Sequence, residues 1–176
     1  MTLFFILFII LVVLLALWGV SNLIAVAGGS PPVHTSLRTC YDILKLAKAT
    51  DKDTVLDLGS GNGNMMVCAT RYFHAKAIGY EISPFFFLQS KLRAIPNNSK
   101  IRIHFASIFE ANLSDATIIF IYLLPKMLLT VFSKIQKEAR PGTIIVTRGF
   151  PLPNWHPIKR LIVGREKTKI FIYKVK

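Results

Sequence analysis

The chain has 176 residues, 52% of them hydrophobic, and a formal charge of +13 from 22 Lys and Arg against 9 Asp and Glu. Once an apolar N-terminal segment is set aside, roughly 145 residues remain, which excludes two full domains but allows one with a proper core. Two lone cysteines, Cys40 and Cys68, exclude a disulfide framework or a cysteine metal site and fit a reducing compartment.

Residues 3–20 are uninterrupted apolar sequence, and no Asp, Glu, Lys or Arg precedes Arg38. With residues 23–27 added, the stretch is long enough to cross the hydrocarbon of a bilayer. A cleaved signal peptide is the rival reading, with Ala25-Val26-Ala27 as its cleavage site. A charged n-region is missing, however, and the apolar stretch exceeds the usual length. The expected organisation is therefore a transmembrane anchor over 1–27, a linker over 28–33 and one domain over 34–176. Arg38, Lys45 and Lys48 follow the span, so the positive-inside rule places that domain in the cytoplasm. A bacterial inner membrane is favoured and a mitochondrial inner membrane is the alternative, because the arginines of a transit peptide are lacking. The whole positive charge then faces anionic head groups. No basic run is interleaved with aromatics in a nucleic-acid motif, which argues against nucleic acid as partner.

Gly28-Gly29-Ser30-Pro31-Pro32 ends the first helix. Thr35 or Ser36 then caps a helix running to about Ala49, with Leu37, Tyr41, Leu44 and Ala47 at helical spacing. A strand over 54–58 leads into Asp57-Leu58-Gly59-Ser60-Gly61-Asn62-Gly63 and a helix to about Phe73. Strand, glycine turn and helix build a nucleotide-type site: the glycines admit a close ligand, and the helix N-terminus offers free N–H groups. The second strand, 76–81, ends on Glu81, about 20 residues beyond the first glycine, where a ribose-binding carboxylate belongs.

Ser83-Pro84 is a good N-cap and first-turn pair for the next helix, which ends before Pro96-Asn97-Asn98. In that helix core packing is the default for Phe85-Phe86-Phe87, with one ring turned outward, toward lipid or protein. Strands follow at 101–106 and 116–122, the latter apolar enough to be central. A helix over 126–139 turns Met127, Leu128, Val131 and Ile135 inward and Lys134, Lys137 and Glu138 outward. Strand five, 143–147, precedes a hairpin of strands over 158–163 and 169–175.

Alternating strands and helices predict a doubly wound, Rossmann-like α/β sheet. The closing antiparallel hairpin, with the Asp-x-Gly-x-Gly-x-Gly turn, resembles class I S-adenosylmethionine-dependent methyltransferases of seven strands. Further along, Gly79-Tyr80-Glu81-Ile82-Ser83-Pro84, Tyr122-Leu123-Leu124-Pro125-Lys126-Met127 and Thr147-Arg148-Gly149-Phe150-Pro151-Leu152-Pro153-Asn154-Trp155-His156-Pro157 extend the likeness. With the N-terminal membrane segment, the chain from about Pro31 resembles the membrane-associated protein lysine methyltransferases. That family's mitochondrial members modify the adenine nucleotide translocase and the ATP synthase c-subunit.

The resemblance implies S-adenosyl-L-methionine as cofactor and a lysine of an integral-membrane protein as substrate. Gly59, Gly61 and Gly63 would close on the methionine part of the cofactor, Asp57 would orient the loop or hold the cofactor amino group through water, and Glu81 would accept from the ribose hydroxyls. Thr35 matches a Pro-Thr segment that covers the cofactor, with His34 in place of the proline. Ser107 stands where many relatives carry an adenine-reading Asp. Tyr122 would shape the substrate pocket, and Pro125, Phe150 and Pro151 would line the substrate path. No metal is implied, and His34, His74, His104 and His156 lack ligand spacing and suit structural or surface positions. Arg148 is compatible with a solvated charge, and Trp155 with a core or interfacial aromatic. Methylation of a membrane lipid or small molecule, and a non-catalytic cofactor-binding module, are the alternatives. A nicotinamide-dependent reductase is disfavoured by the hairpin and by the lack of a Tyr-x-x-x-Lys pair.

Overall fold

The computed structural model describes residues 1–27, 33–97, 99–164 and 167–176. The expected linker glycines and prolines, 28–32, lie outside the described residues. The apolar N-terminus forms one helix, α1 (Thr2–Ala27), whose side chains are almost all exposed. Then come α2 (Leu37–Leu46), β1 (Thr54–Leu58), α3 (Asn64–Phe73), β2 (Lys76–Glu81) and α4 (Pro84–Ala94). They are followed by β3 (Ile101–Phe105), β4 (Ile118–Ile121), α5 (Pro125–Glu138), β5 (Ile144–Arg148), β6 (Lys159–Val163) and β7 (Thr168–Lys174).

The strands form one sheet of seven in the order β3-β2-β1-β4-β5-β7-β6. The first five are parallel, and β7 pairs antiparallel with both β5 and β6. This is the expected doubly wound sheet with its terminal hairpin. Strand order reverses between β1 and β4, and a crevice opens at the carboxyl ends there.

Alternation along each strand assigns the two faces. Val55 of β1 and Ile118 and Phe120 of β4 pack with Cys40 and Leu44 of α2 and Met66 of α3. Leu56, Leu58 and Ile119 point the other way, against Leu128, Val131 and Ile135 of α5. Both cysteines are free and buried on the α2–α3 side, and burial pushes the Cys68 thiol up to about 12. Trp155 packs half-buried against Phe132 and Tyr173, ring centroids 5.8 and 5.3 Å away.

Several local expectations need correction. Helix α2 stops at Leu46, and Leu37 is exposed on its first turn because Cys40, Ile43 and Leu44 form the buried stripe. Strand β4 keeps only 118–121, since Ala116 already turns back to bond the Leu113 carbonyl. Lys134 is half-buried, its side chain 14% exposed, with Nζ bonded to Glu138 at 2.7 Å along α5. Ser83 occupies the N-cap of α4, yet its hydroxyl makes no capping bond. The Phe85 N–H instead donates to Ser21 Oγ of α1 at 2.9 Å. A hydroxyl from the apolar helix thus does the work expected of a local cap.

Gly63, the N-cap of α3, has φ +81°, and a Cβ there would stand 3.1 Å from Ser90 Cβ on α4. The residue therefore lets α4 close on the glycine turn. Gly63→Ala should cost about 1–2 kcal/mol in denaturant unfolding, with cofactor affinity little changed in titrations of the folded protein.

Candidate active site

The crevice at the carboxyl ends of β1, β2 and β4 is a cavity built from five chain segments. Gly59 (φ +84°), Ser60 and Gly61 (φ +51°) turn the chain from β1 toward α3 and form its floor. Asp57, at the end of β1, and Glu81, at the end of β2, face it from buried positions, 3% and 7% exposed. Ile82, Ile108 and Phe109 supply apolar wall, beside Ser107. Tyr122, Leu123 and Met127 close the end after β4, and Val33, His34 and Thr35 form a strap over the top.

Glu81 organises the floor. One carboxylate oxygen accepts from the Gly61 N–H and the other from the Ser83 N–H, each at 2.8 Å. The acid thus ties the glycine turn to the start of α4 while its remaining lone pairs stay available to a ligand. Burial raises its pKa, and these backbone hydrogen bonds pull it back toward the ionised form. Asp57 is pushed well above the usual carboxylate range, first by burial and then by the Glu81 charge.

Two buried acids beside a cavity call for a cationic partner, and the surrounding wall is apolar. A ligand with an ammonium or sulfonium charge, two ribose hydroxyls and a flat base matches that set of acceptors and apolar wall. The Cβ direction of Gly61 points across the gap to His34 Nδ1, 3.8 Å away, so a side chain there would fill the cradle. The residues present therefore fit S-adenosylmethionine.

The strap is held at Thr35 by two separate elements. The Thr35 carbonyl accepts from Asn64 Nδ2 at 2.8 Å, and Thr35 Oγ1 from Arg148 Nη1 at 2.7 Å. Arg148 is 5% exposed and lies over the Tyr122 ring, 4.4 Å from its centroid. It is a buried clamp between the strap and the end of β4, and not a solvated charge. His34 is exposed, as expected of a surface position, and it also lines the cavity edge-on to Phe86, with its pKa lowered by partial burial and by Arg93. His34 stands in the segment that resembles the family's Pro-Thr cover, and Arg148 in the run after β5 that carries the resemblance, but nothing local signals the burial of Arg148.

Not every expected site residue borders the cavity. Gly63 packs on α4, as described above. Pro125 is exposed at the first turn of α5. Phe150 and Pro151 sit at the surface beyond β5, where the Phe150 carbonyl takes the Thr147 hydroxyl at 2.7 Å and draws the chain away. Ser107 does line the cavity, but its hydroxyl already accepts from the Phe109 N–H in a capping box with Glu110. Among the described residues, no group of His, Cys, Asp and Glu is placed to hold a metal ion.

The model of the ANTKMT methyltransferase domain matches residues 57–159, from the glycine turn to β6. The chain belongs to this family. A protein-lysine N-methyltransferase of Saccharolobus islandicus (strain REY15A) is 30% identical over 149 residues, 81% of this chain and 92% of the relative. The adenine nucleotide translocase lysine N-methyltransferase of Mus musculus is 29% identical over 82% of this chain, which spans 63% of the mouse protein. Among solved structures, an RNA methyltransferase from Salinibacter ruber, in complex with S-adenosyl-L-homocysteine, superposes with a TM-score of 0.76 at 27% identity. The match covers 81% of this chain and 94% of the other. The protein is an S-adenosylmethionine-dependent methyltransferase with protein-lysine N-methyltransferases among its homologues.

In this methyltransferase the raised pKa of Asp57 has a stability consequence. Its contribution is full in acid and is lost as pH climbs from about 4 through the folded value. Asp57→Asn should stabilise the ligand-free protein at neutral pH by about 1 kcal/mol, with the gain shrinking in acid. The same variant should bind cofactor more weakly. Denaturant titrations across pH, with and without cofactor, check both signs.

Proposed function

We propose that the protein methylates the side-chain amine of a lysine on an integral-membrane protein, with its catalytic domain on the cytoplasmic face. The observation that carries this reading is the archaeal lysine methyltransferase match, which runs over 92% of that relative. The mouse relative, whose name specifies a translocase lysine, supports a membrane-protein target, and α1 supports anchoring beside one. Tethering would raise the effective concentration of lysines near the bilayer. A bacterial inner membrane is the favoured setting and the mitochondrial inner membrane the alternative.

The bound cofactor supplies a methyl group on a positively charged sulfur leaving group. The chain supplies position and electrostatics. Glu81 and the glycine turn would hold the nucleoside, Asp57 would face the cationic end, and the strap with His34 and Thr35 would exclude water. The amine must arrive neutral, and passage between Tyr122, Leu123 and Met127 strips water from it and lowers its pKa. Tyr122, at the carboxyl end of β4 and backed by Arg148, shapes that passage. Tyr122→Ala should lower the methylation rate at least about tenfold while cofactor affinity changes little. Equal losses in both would remove the role.

The test of function is transfer of labelled methyl from the cofactor to a membrane fraction by the full chain in nanodiscs. Label recovered in lysine by mass spectrometry supports the reading. Label in RNA or in the lipid extract replaces it with another substrate class, and cofactor binding without transfer to any fraction would leave a binding module.

A further inference from the structure

Helix α4 carries an apolar stripe that the folded domain does not cover. Phe85, Leu88, Leu92 and Ile95 recur at helical spacing, and Leu88, Leu92 and Ile95 are 52%, 60% and 66% exposed. At 100° per residue the four fall within an arc of about 80°, flanked by Lys91 on one side and by Gln89 and then Arg93 on the other. Lys91 Nζ lies 5.6 Å from the centre of the Phe87 ring, and Arg93 bonds Asn64 Oδ1. An apolar stripe edged by cations is the pattern of a helix lying in an anionic bilayer interface.

The stripe is continuous with the place where α1 docks. Phe85 lines one open apolar pocket together with Leu14, Leu15 and Trp18 of α1, and its N–H is bonded to Ser21. Ser21 is the first polar side chain after Thr2, and the helix rises about 28 Å between them, close to the hydrocarbon thickness. If α1 spans, Trp18 and Ser21 stand at the lipid–water boundary. The start of α4 is then pinned at that depth, with the rest of its stripe running on from there.

We infer that the Leu88–Leu92–Ile95 face of α4 lies in the head-group region of an anionic membrane, as a second contact beside the α1 anchor. The inference rests on the reading of α1 as a membrane span. It constrains the substrate, because Phe86 of the same helix lines the active-site cavity. The cavity is thereby held about one helix diameter, 10–12 Å, from the lipid surface. A target lysine must sit just outside the bilayer, and not on a distant extramembrane domain.

The experiment uses full-length protein in vesicles of phosphatidylcholine and phosphatidylglycerol. Cysteines placed by Leu88→Cys, Leu92→Cys, Val12→Cys on α1 and Ser133→Cys on α5 are labelled with nitrobenzoxadiazole. The native cysteines are buried and do not compete. Lipids bearing a nitroxide near the head group should quench the labels at 88 and 92 at least threefold more than the label at 133, a rough expectation for interfacial depth. Deep nitroxides should quench position 12. Quenching at 12 with 88 and 92 no different from 133 overturns the inference and leaves the span intact. Absent quenching at 12 removes the span and the inference together. Shielding at 88 and 92 that ignores the lipid and rises with protein density would mean a second copy covers the face, which also overturns it.

Discussion

Glu81→Gln should weaken S-adenosylmethionine binding at least about a hundredfold, since each hydrogen bond to a charged acceptor contributes about 1.5–3 kcal/mol. Two effects act together. The ribose hydroxyls lose an ionised acceptor, and the floor of the site loses its tie. Both Glu81 oxygens accept backbone N–H groups in the protein, from Gly61 and Ser83. A glutamine offers one oxygen and one NH2, so one of those N–H groups would face a donor. Calorimetric titration of the purified variant reads the outcome. A loss under about threefold would mean that the nucleoside is held elsewhere.

Arg148→Ala should cost about 2–4 kcal/mol of stability, because it hollows a buried site and strands polar groups. It should also speed cofactor release. The guanidinium joins Thr35 Oγ1 at 2.7 Å to the Tyr122 ring at 4.4 Å, and both residues line the cavity. Without it the strap over 33–36 is held mainly through Asn64. Arg148→Lys should recover little, since an ammonium cannot stack flat on the ring while reaching the hydroxyl. Thr35→Val removes only the strap bond and should quicken release with a smaller stability loss. Stopped-flow dissociation and denaturant unfolding separate the two roles. Unchanged release in Arg148→Ala would show that the strap does not hold the cofactor.

Much of this could be read along the chain because the signals are local. The glycine turn, the acid closing β2 and the apolar strands each follow from contiguous residues, and their order implies the doubly wound sheet. The carboxylate at 81 was legible because strand and loop lengths in such folds leave it little choice of place. Arg148 was not legible. Its burial depends on Thr35, 113 positions away, and on Tyr122 lying flat beneath it. The same holds for the cap of α4. Ser83 has the right chemistry and position, yet the hydroxyl that takes the Phe85 N–H comes from Ser21, 64 positions earlier.

The amino-acid order by itself determined an apolar helix of spanning length, a seven-stranded α/β domain and a glycine turn flanked by Asp57 and Glu81. These rest on backbone preferences and on hydrophobic period, which act over a few residues at a time. Only the tertiary structure decided which polar groups became partners once buried: the strap clamped by Arg148, the hydroxyl of Ser107 turned to its own turn, and Pro125, Phe150 and Pro151 left off the cavity wall. A buried donor or acceptor must be satisfied by whatever packing brings near. That neighbour is set by how distant segments cross, which residue spacing along one chain does not encode.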